Sequence, residues 1–163
     1  SLLSGNVFFA QNFITDYFQK SEASKLDTII SIQSNDKNVV EMPITLIKGA
    51  GSGPTFTITA GIHGMEYPTI MSLVDFSREI NPKLLNGNII ILPVVNQPSF
   101  FKRVPFKNPM DGLNLNRVFP GTKNGSITEV MADFMSSQIF PVTAILLDMH
   151  GGDVSEDLIP FIF

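Results

Sequence analysis

Hydrophobic residues in this chain form short runs whose spacing is strand-like in some places and helical in others. Runs of β-branched residues predict strands, and apolar residues that recur every three or four positions predict helices. The predicted strands are residues 28–32, 39–47, 55–62, 88–95 and 144–149, and the predicted helices are residues 12–24, 66–80 and 126–140. The polar insert between the first two strands favours an antiparallel hairpin, and strand and helix alternate from residue 55 onward. Together these patterns predict an α/β fold with a mixed sheet and helices on both faces.

Two segments interrupt this pattern. Residues 49–54 are rich in glycine, but no Gly-Lys-Ser/Thr ending and no helix directly follow, so we interpret them as a plain loop and not as a phosphate-binding one. Residues 96–125 are rich in Asn, Pro, Gly and basic side chains and show little periodicity. A loop of that length within a compact domain is usually functional, so we expect functional side chains there.

The composition is that of a globular protein with one domain. Of the 163 residues, 44% are hydrophobic and 16% are charged, and we expect residues 1–163 to form a single domain. A formal charge of −4 and a pI near 5.0 argue against binding to nucleic acid or to an anionic membrane surface, which calls for a basic face. No apolar run reaches the roughly 20 residues of a membrane helix, and we expect a cytoplasmic location.

The chain has no cysteine, so any metal would be held by His, Asp or Glu. Residues 158–163 are mostly apolar and would make a poor solvent-exposed terminus. We therefore expect the sequence to be the N-terminal part of a longer chain.

The sequence contains two histidines, and each follows a predicted strand and precedes a glycine. His63 and His150 would therefore lie at the carboxyl ends of strands, which is where open α/β sheets bind ligands. A single histidine is more often a structural residue than a ligand, but a shared position at two strand ends favours the functional interpretation. Glu66, three residues after His63, completes two histidines and one carboxylate, a set typical of catalytic zinc sites.

The long segment supplies candidates for substrate binding. Arg103 and Arg117 each carry a planar guanidinium that can bind a carboxylate with two hydrogen bonds, and Asn116 adds an amide donor. The alternative is that both arginines are solvated surface charges. Leu115, next to Asn116, belongs to an apolar flank that favours a partly packed setting.

Three motifs stand out along the chain: Gly-Ile-His-Gly-Met-Glu at 61–66, Asp-Gly-Leu-Asn-Leu-Asn-Arg-Val-Phe-Pro-Gly at 111–121 and Asp-Met-His-Gly-Gly-Asp at 148–153. Together they resemble the signatures of the succinylglutamate desuccinylase/aspartoacylase family of carboxypeptidase-A-like zinc hydrolases. The resemblance implies a zinc-carboxypeptidase-like three-layer sandwich. It also implies a general-base glutamate in a later segment than those present here.

The same resemblance implies a role for each candidate residue. Zn²⁺ would be the cofactor, held by His63, Glu66 and His150, while Asn116 and Arg117 would bind the substrate's carboxylate and Arg103 would polarise the scissile carbonyl.

The function that follows is zinc-dependent hydrolysis of an amide bond in a small carboxylated substrate, most simply an N-acyl amino acid. A metallocarboxypeptidase acting on peptides and a non-catalytic module that binds carboxylated ligands are the alternatives. The sequence leaves the oligomeric state open.

Overall fold

The computed structural model describes residues 8–153, 156 and 158, with side chains from residue 13 onward. The strands are β1 (Ser24–Gln33), β2 (Val39–Lys48), β3 (Gly51–Ala60), β4 (Asn86–Leu92) and β5 (Ile145–Met149). The α-helices are α1 (Phe8–Phe18), α2 (Tyr67–Glu79), α3 (Gln97–Lys102) and α4 (Ile127–Phe134). Short 3-10 turns occupy Pro82–Leu84, Leu115–Arg117 and Phe140–Val142, and a π turn occupies Met135–Ile139.

The five strands form one mixed sheet in the order β1-β2-β4-β3-β5. β1 and β2 form the predicted antiparallel hairpin, and β2 is also antiparallel to β4. β3 runs parallel to both of its neighbours, β4 and β5. The carboxyl ends of these three parallel strands therefore meet at one edge of the sheet.

A hydrophobic core lies on each face of the sheet. On one face, alternate residues of β2 from Val40 to Leu46 pack with α1, α4 and the π turn. On the other face, Ile70 and Leu73 of α2 pack against Ile89 and Ile91 of β4. β4 is buried on both faces, which explains its continuous run of aliphatic residues. The predicted α/β architecture, with helices on both faces of a mixed sheet, is confirmed.

The loop predicted at 49–54 is wrong for its last four residues, because β3 begins at Gly51. Gly53 allows close approach to the neighbouring strand, because a Cβ on it would lie 3.0 Å from the backbone nitrogen of Gly87 in β4. The pairing of β3 with β4 shifts register between Gly51 and Thr55. A glycine-rich strand of this kind has no side-chain pattern from which to predict it.

Other boundaries also differ from the prediction. The first helix ends at Phe18 instead of residue 24, because Ser24 already pairs with Lys48 in the hairpin. The helix predicted at 126–140 is α-helical only to Phe134 and continues as the π turn and a 3-10 turn. The long segment 96–125 contains the short helix α3, which the sequence pattern did not reveal.

Among the described residues, no helix combines the length and the hydrophobicity needed to cross a membrane. The apolar run at 158–163 lies outside the described residues apart from Leu158.

Candidate metal centre

The fold brings three of the predicted site residues together at the edge where the parallel strands end. His63 follows β3 by three residues, and His150 directly follows β5. Glu66 immediately precedes α2, whose first turn contains Pro68, and its backbone carbonyl accepts a hydrogen bond from the N–H of Ile70. Since β3 and β5 are adjacent and parallel, the two histidines extend from the same edge.

The side chain of Glu66 lies between the two imidazole rings. Its Oε1 is 2.8 Å from Nδ1 of His63, and its Oε2 is 3.0 Å from Nδ1 of His150. One ligand atom from each of the three residues lies within 4.8 Å of the other two. In tetrahedral zinc coordination, with bonds of about 2.0–2.1 Å, neighbouring ligand atoms are about 3.3 Å apart. The donor types and their spacing therefore fit a Zn²⁺ ion.

Without a metal, the cluster is strongly polarised. Burial tends to raise the pKa of Glu66, but the hydrogen bonds from His150 and His63 outweigh it and lower the pKa to about 2. The pKa of His150 rises to about 10, chiefly because its ring donates to Asp148 and also to Glu66. The imidazole ring of His150 thus lies between the carboxylates of Glu66 and Asp148, which favour its positively charged form.

The turn that carries His63 is held by the segment after β4. Ser99 Oγ accepts a hydrogen bond from the N–H of Gly64 at 3.0 Å and donates to the carbonyl of Val104 at 2.6 Å. Asn96 donates from its side-chain amide to the carbonyl of Ile62 at 3.3 Å. Gly64 is required here because a Cβ at this position would lie 2.1 Å from the backbone nitrogen of Phe100.

Asn116 and Arg117 lie on the 3-10 turn Leu115–Arg117. Asn116 is half-buried and lines a cavity of about 220 Å³ together with Asp148; the remaining lining residues are Thr59, Ile62, Phe119, Met135, Phe140 and Leu146. Arg117 is exposed, and its Nη1 donates to the carbonyl of Asn116 at 3.1 Å. Asn116 therefore shares a cavity with Asp148, the residue that contacts His150.

Arg103 lies on a different cleft. It is the C-cap of α3, with a left-handed φ of 54°, and it lines a cavity of about 380 Å³ with Met65, Tyr67, Phe100 and Phe101. The side chain that contacts the ring of His63 from this loop is Phe106, whose ring centroid is 5.2 Å away in an edge-to-face arrangement. No pattern in the sequence indicated a role for Phe106.

Two polar contacts of the histidines involve residues that were not among the predicted site residues. Asn114 and Asp148 each face the ring nitrogen that points away from Glu66, and both belong to the motifs without having been assigned a role. Their positions, two residues from Asn116 and two residues before His150, were the available signal. Glu156, six residues after His150, is exposed and accepts a hydrogen bond from the N–H of Asp153 at 3.5 Å.

Residues 52–163 match the family profile described as the succinylglutamate desuccinylase/aspartoacylase catalytic domain. The chain is 40% identical over 133 residues to the N-alpha-acetyl-L-2,4-diaminobutyric acid deacetylase of Halomonas elongata, covering 78% of this chain and 38% of the relative. Among solved structures, a succinylglutamate desuccinylase/aspartoacylase from Rhodobacter sphaeroides is 34% identical with a TM-score of 0.74, over 83% of this chain and 42% of that one.

A metallo-carboxypeptidase from Pseudomonas aeruginosa shares the fold at 16% identity, with a TM-score of 0.58 over 86% of this chain and 38% of that chain. The predicted carboxypeptidase-like α/β fold is confirmed by these structural similarities. The chain spans about two fifths of the length of the relatives that it matches.

Proposed function

Because this chain belongs to the succinylglutamate desuccinylase/aspartoacylase family, we propose that it contributes the metal-binding part of a zinc-dependent deacylase acting on N-acyl amino acids. Family relatives are deacylating hydrolases, and one bears the name of a deacetylase of an acetylated amino acid. The observation that carries the proposal is the convergence of His63, Glu66 and His150 on one point. We propose residues 1–163 as the N-terminal portion of this catalytic domain.

The three residues would hold Zn²⁺ through Nδ1 of each histidine and the carboxylate of Glu66. A Zn²⁺ ion in such a set lowers the pKa of a bound water towards ~7 and polarises a carbonyl group. Glu66 is only 4% exposed, so its charge is poorly screened by solvent and favours a cation strongly.

Substrate binding is assigned to the 3-10 turn beside the metal centre. Arg117 is exposed and offers several N–H donors besides the one that contacts Asn116, so it suits a substrate carboxylate arriving from solvent. Asn116 would add a neutral donor from the rim of the 220 Å³ cavity. The apolar lining of that cavity would accommodate an aliphatic part of the substrate.

Arg103 would stabilise the negative charge that develops on the carbonyl oxygen. Its side chain lies on the cleft beside Met65, which is the residue directly before Glu66 in the chain. The general base is expected, from the resemblance, in a later segment of the protein. The cytoplasmic location and the absence of nucleic-acid and membrane partners stay predictions.

Zinc content tests the metal-binding part of the proposal. We expect stoichiometric zinc by elemental analysis in the wild type and a loss of zinc in His63→Ala and Glu66→Gln. Glu79→Gln, at the exposed far end of the helix that Glu66 precedes, is the matched control and should keep its zinc. Wild-type protein that binds no zinc would contradict the proposal.

Activity decides between the deacylase and its alternatives. The longer protein, including the later segment expected to carry the general base, should be assayed against a panel of N-acyl amino acids and against short peptides of matched charge. Hydrolysis confined to N-acyl amino acids supports the deacylase, and hydrolysis confined to peptides would indicate the carboxypeptidase. Binding of carboxylates without turnover of either class would favour the binding module.

A further inference from the structure

We propose that Phe106 determines specificity by presenting an apolar wall to the acyl group of the substrate, an inference that rests on the proposed function. The ring of Phe106 meets the ring of His63 edge to face, with the two planes at 80°. Phe106 is 38% exposed, so part of the residue stays open to solvent beside the metal centre. That apolar surface is available to a bound molecule.

The backbone at Phe106 adopts a rare conformation. Its φ of 61° lies in the left-handed region, and the N–H of Lys107 donates to the carbonyl of Pro105 at 2.7 Å. A three-residue turn with a positive φ at its centre is rare and strained, most of all for a bulky side chain. Residues that carry such strain cluster at functional sites. The turn therefore points to a function for Phe106 independently of the ring contact.

Hydrogen bonds on both sides hold the turn in this conformation. Before the turn, the N–H of Val104 donates to the carbonyl of Ser99 at 3.1 Å, and the carbonyl of Val104 accepts from the hydroxyl of Ser99 at 2.6 Å. After the turn, the N–H of Asn108 donates to the carbonyl of Leu113 at 2.8 Å, and Asn108 is fully buried. The backbone between these two fixed points has little freedom to relax, so the ring stays against His63.

A scissile amide held at the metal centre extends in two directions from its carbonyl carbon. The proposed function assigns the amino-acid half to Asn116 and Arg117. Asn116 shares a cavity with Asp148, which contacts His150. Phe106 contacts the other histidine. The acyl half of the substrate is therefore expected on the side of Phe106.

A phenyl ring favours an apolar acyl group over an anionic one. The ring has no N–H or O–H donor, and its face carries negative partial charge. Lys102, Arg103 and Lys107 are exposed side chains of the same segment, and they would favour an anionic acyl group instead. The contact with His63 brings Phe106 to the metal centre itself, so we expect its apolar surface to decide the preference.

The test is kcat/KM of the longer protein, including the segment expected to carry the general base, on N-acetyl, N-butanoyl and N-succinyl derivatives of one amino acid. Butanoyl and succinyl share a four-carbon chain and differ in a terminal methyl or carboxylate. Butanoyl should exceed acetyl about 4–16-fold, because each of its two added methylenes contributes about two- to fourfold when partly or fully buried. Butanoyl should exceed succinyl at least about tenfold, because a carboxylate beside the ring loses water without gaining a donor.

Three variants link these preferences to the ring of Phe106. Phe106→Ala should bring the ratio of butanoyl to acetyl close to that of a site without the wall, about 1, and should narrow the preference over succinyl. Phe106→Leu keeps an apolar side chain and should retain most of both preferences. Phe76→Ala removes a ring that is 45% exposed on α2, and as the matched control it should keep the wild-type ratios.

Urea unfolding tests the strained turn and reports whether each variant is folded. Glycine adopts a positive φ without strain, whereas alanine does not. Phe106→Gly should therefore unfold at a higher urea concentration than Phe106→Ala. Equal midpoints for the two variants would overturn the strained turn as the element that holds the ring.

The outcomes are distinct. A zinc-loaded wild type that hydrolyses none of the N-acyl amino acids overturns the proposed function together with this inference. Hydrolysis with wild-type ratios in a folded Phe106→Ala variant overturns the inference alone. So does a wild-type preference for the succinyl substrate, which would assign the acyl group to the basic side chains of this segment.

Discussion

The turn after β3 depends on the absence of a side chain at Gly64, and Gly64→Ala tests this dependence. A Cβ there would lie 2.1 Å from the nitrogen of Phe100 and 2.5 Å from the carbonyl carbon of Ser99. Ordinary contacts begin at 3.4 Å, so one of the two segments must move by more than 1 Å. Both contacted atoms are backbone, so no side-chain rotation can relieve the overlap.

Two effects of Gly64→Ala should lower the free energy of unfolding: the steric overlap and the loss of a hydrogen bond. Overpacking of this kind costs about 1–3 kcal/mol. Loss of the hydrogen bond from the N–H of Gly64 to Ser99 Oγ, 3.0 Å long, adds about 1 kcal/mol. We therefore expect Gly64→Ala to lower the free energy of unfolding by about 2–4 kcal/mol. A shift of this size also exceeds the ~0.5 Å tolerance of a functional site, so zinc affinity should fall at least about tenfold.

Urea unfolding of chelator-treated protein measures the first quantity, and competition with a chelating dye measures the second. Gly51→Ala is the matched control at the opposite end of β3. Its nearest neighbour would be the side-chain oxygen of Asn86, an exposed group that can rotate away, so stability should change by less than about 1 kcal/mol. Wild-type stability and zinc affinity in Gly64→Ala would refute the reasoning.

Three further predictions concern the core, a helix cap and the pH. Phe134→Ala should lower the free energy of unfolding by about 3–5 kcal/mol in urea melts, since Phe134 is only 1% exposed; a smaller loss would mean that the core refills the cavity. Glu129→Ala should cost about 1 kcal/mol in the same assay, because its carboxylate accepts the N–H of Ser126 at 2.8 Å, and no change would argue against this cap. Since hydrogen bonding to Asp148 raises the pKa of His150 from 6.5 to about 10, zinc must displace a proton there at pH 7.5. Calorimetry in buffers of different ionisation enthalpy should show at least one proton released per zinc, and zinc affinity should rise with pH towards 10. Zinc binding without proton release would contradict the raised pKa of His150.

The raised pKa of His150 also makes the stability of the metal-free protein depend on pH. His150 binds its proton more tightly when folded than when unfolded, so its contribution is complete below pH 6.5 and is lost as the pH rises towards 10. Glu66 has the opposite sense, because its lowered pKa stabilises the fold above pH 4.5 and this contribution is lost as the pH falls towards 2.

Much of the site was predictable because its residues stand at fixed places along the chain. His63 and His150 each follow an apolar strand, and the carboxyl ends of parallel strands meet at one edge. Glu66 falls at the start of the next helix, one turn from His63. The family assignment made from the three motifs is confirmed, whereas the roles of Arg103, Asn116 and Arg117 stay predictions.

Other features could not be predicted from the sequence because they depend on contacts between segments that are distant along the chain. The start of β3 at Gly51 forms because its backbone approaches that of β4. Glycine has no side chain, so the hydrophobic pattern does not predict a strand there. Phe106 contacts the ring of His63 from a loop, and the path of a loop cannot be predicted from hydrophobic periodicity. The short helix α3 begins at Asn96, which caps it by accepting the N–H of Ser99 at 3.3 Å.

The sequence by itself determined the alternation of strands and helices, the three residues that cluster at the strand ends, and the family. These follow from hydrophobic periodicity and from residue types at strand ends, which are local properties of the chain. Only the tertiary structure decided which nitrogen of each histidine faces Glu66, because the other nitrogen of each ring contacts Asn114 or Asp148 from another part of the fold. Asp148 is fixed by Thr59 across two strands and Asn114 by its own turn, and such contacts exist only after the sheet has formed.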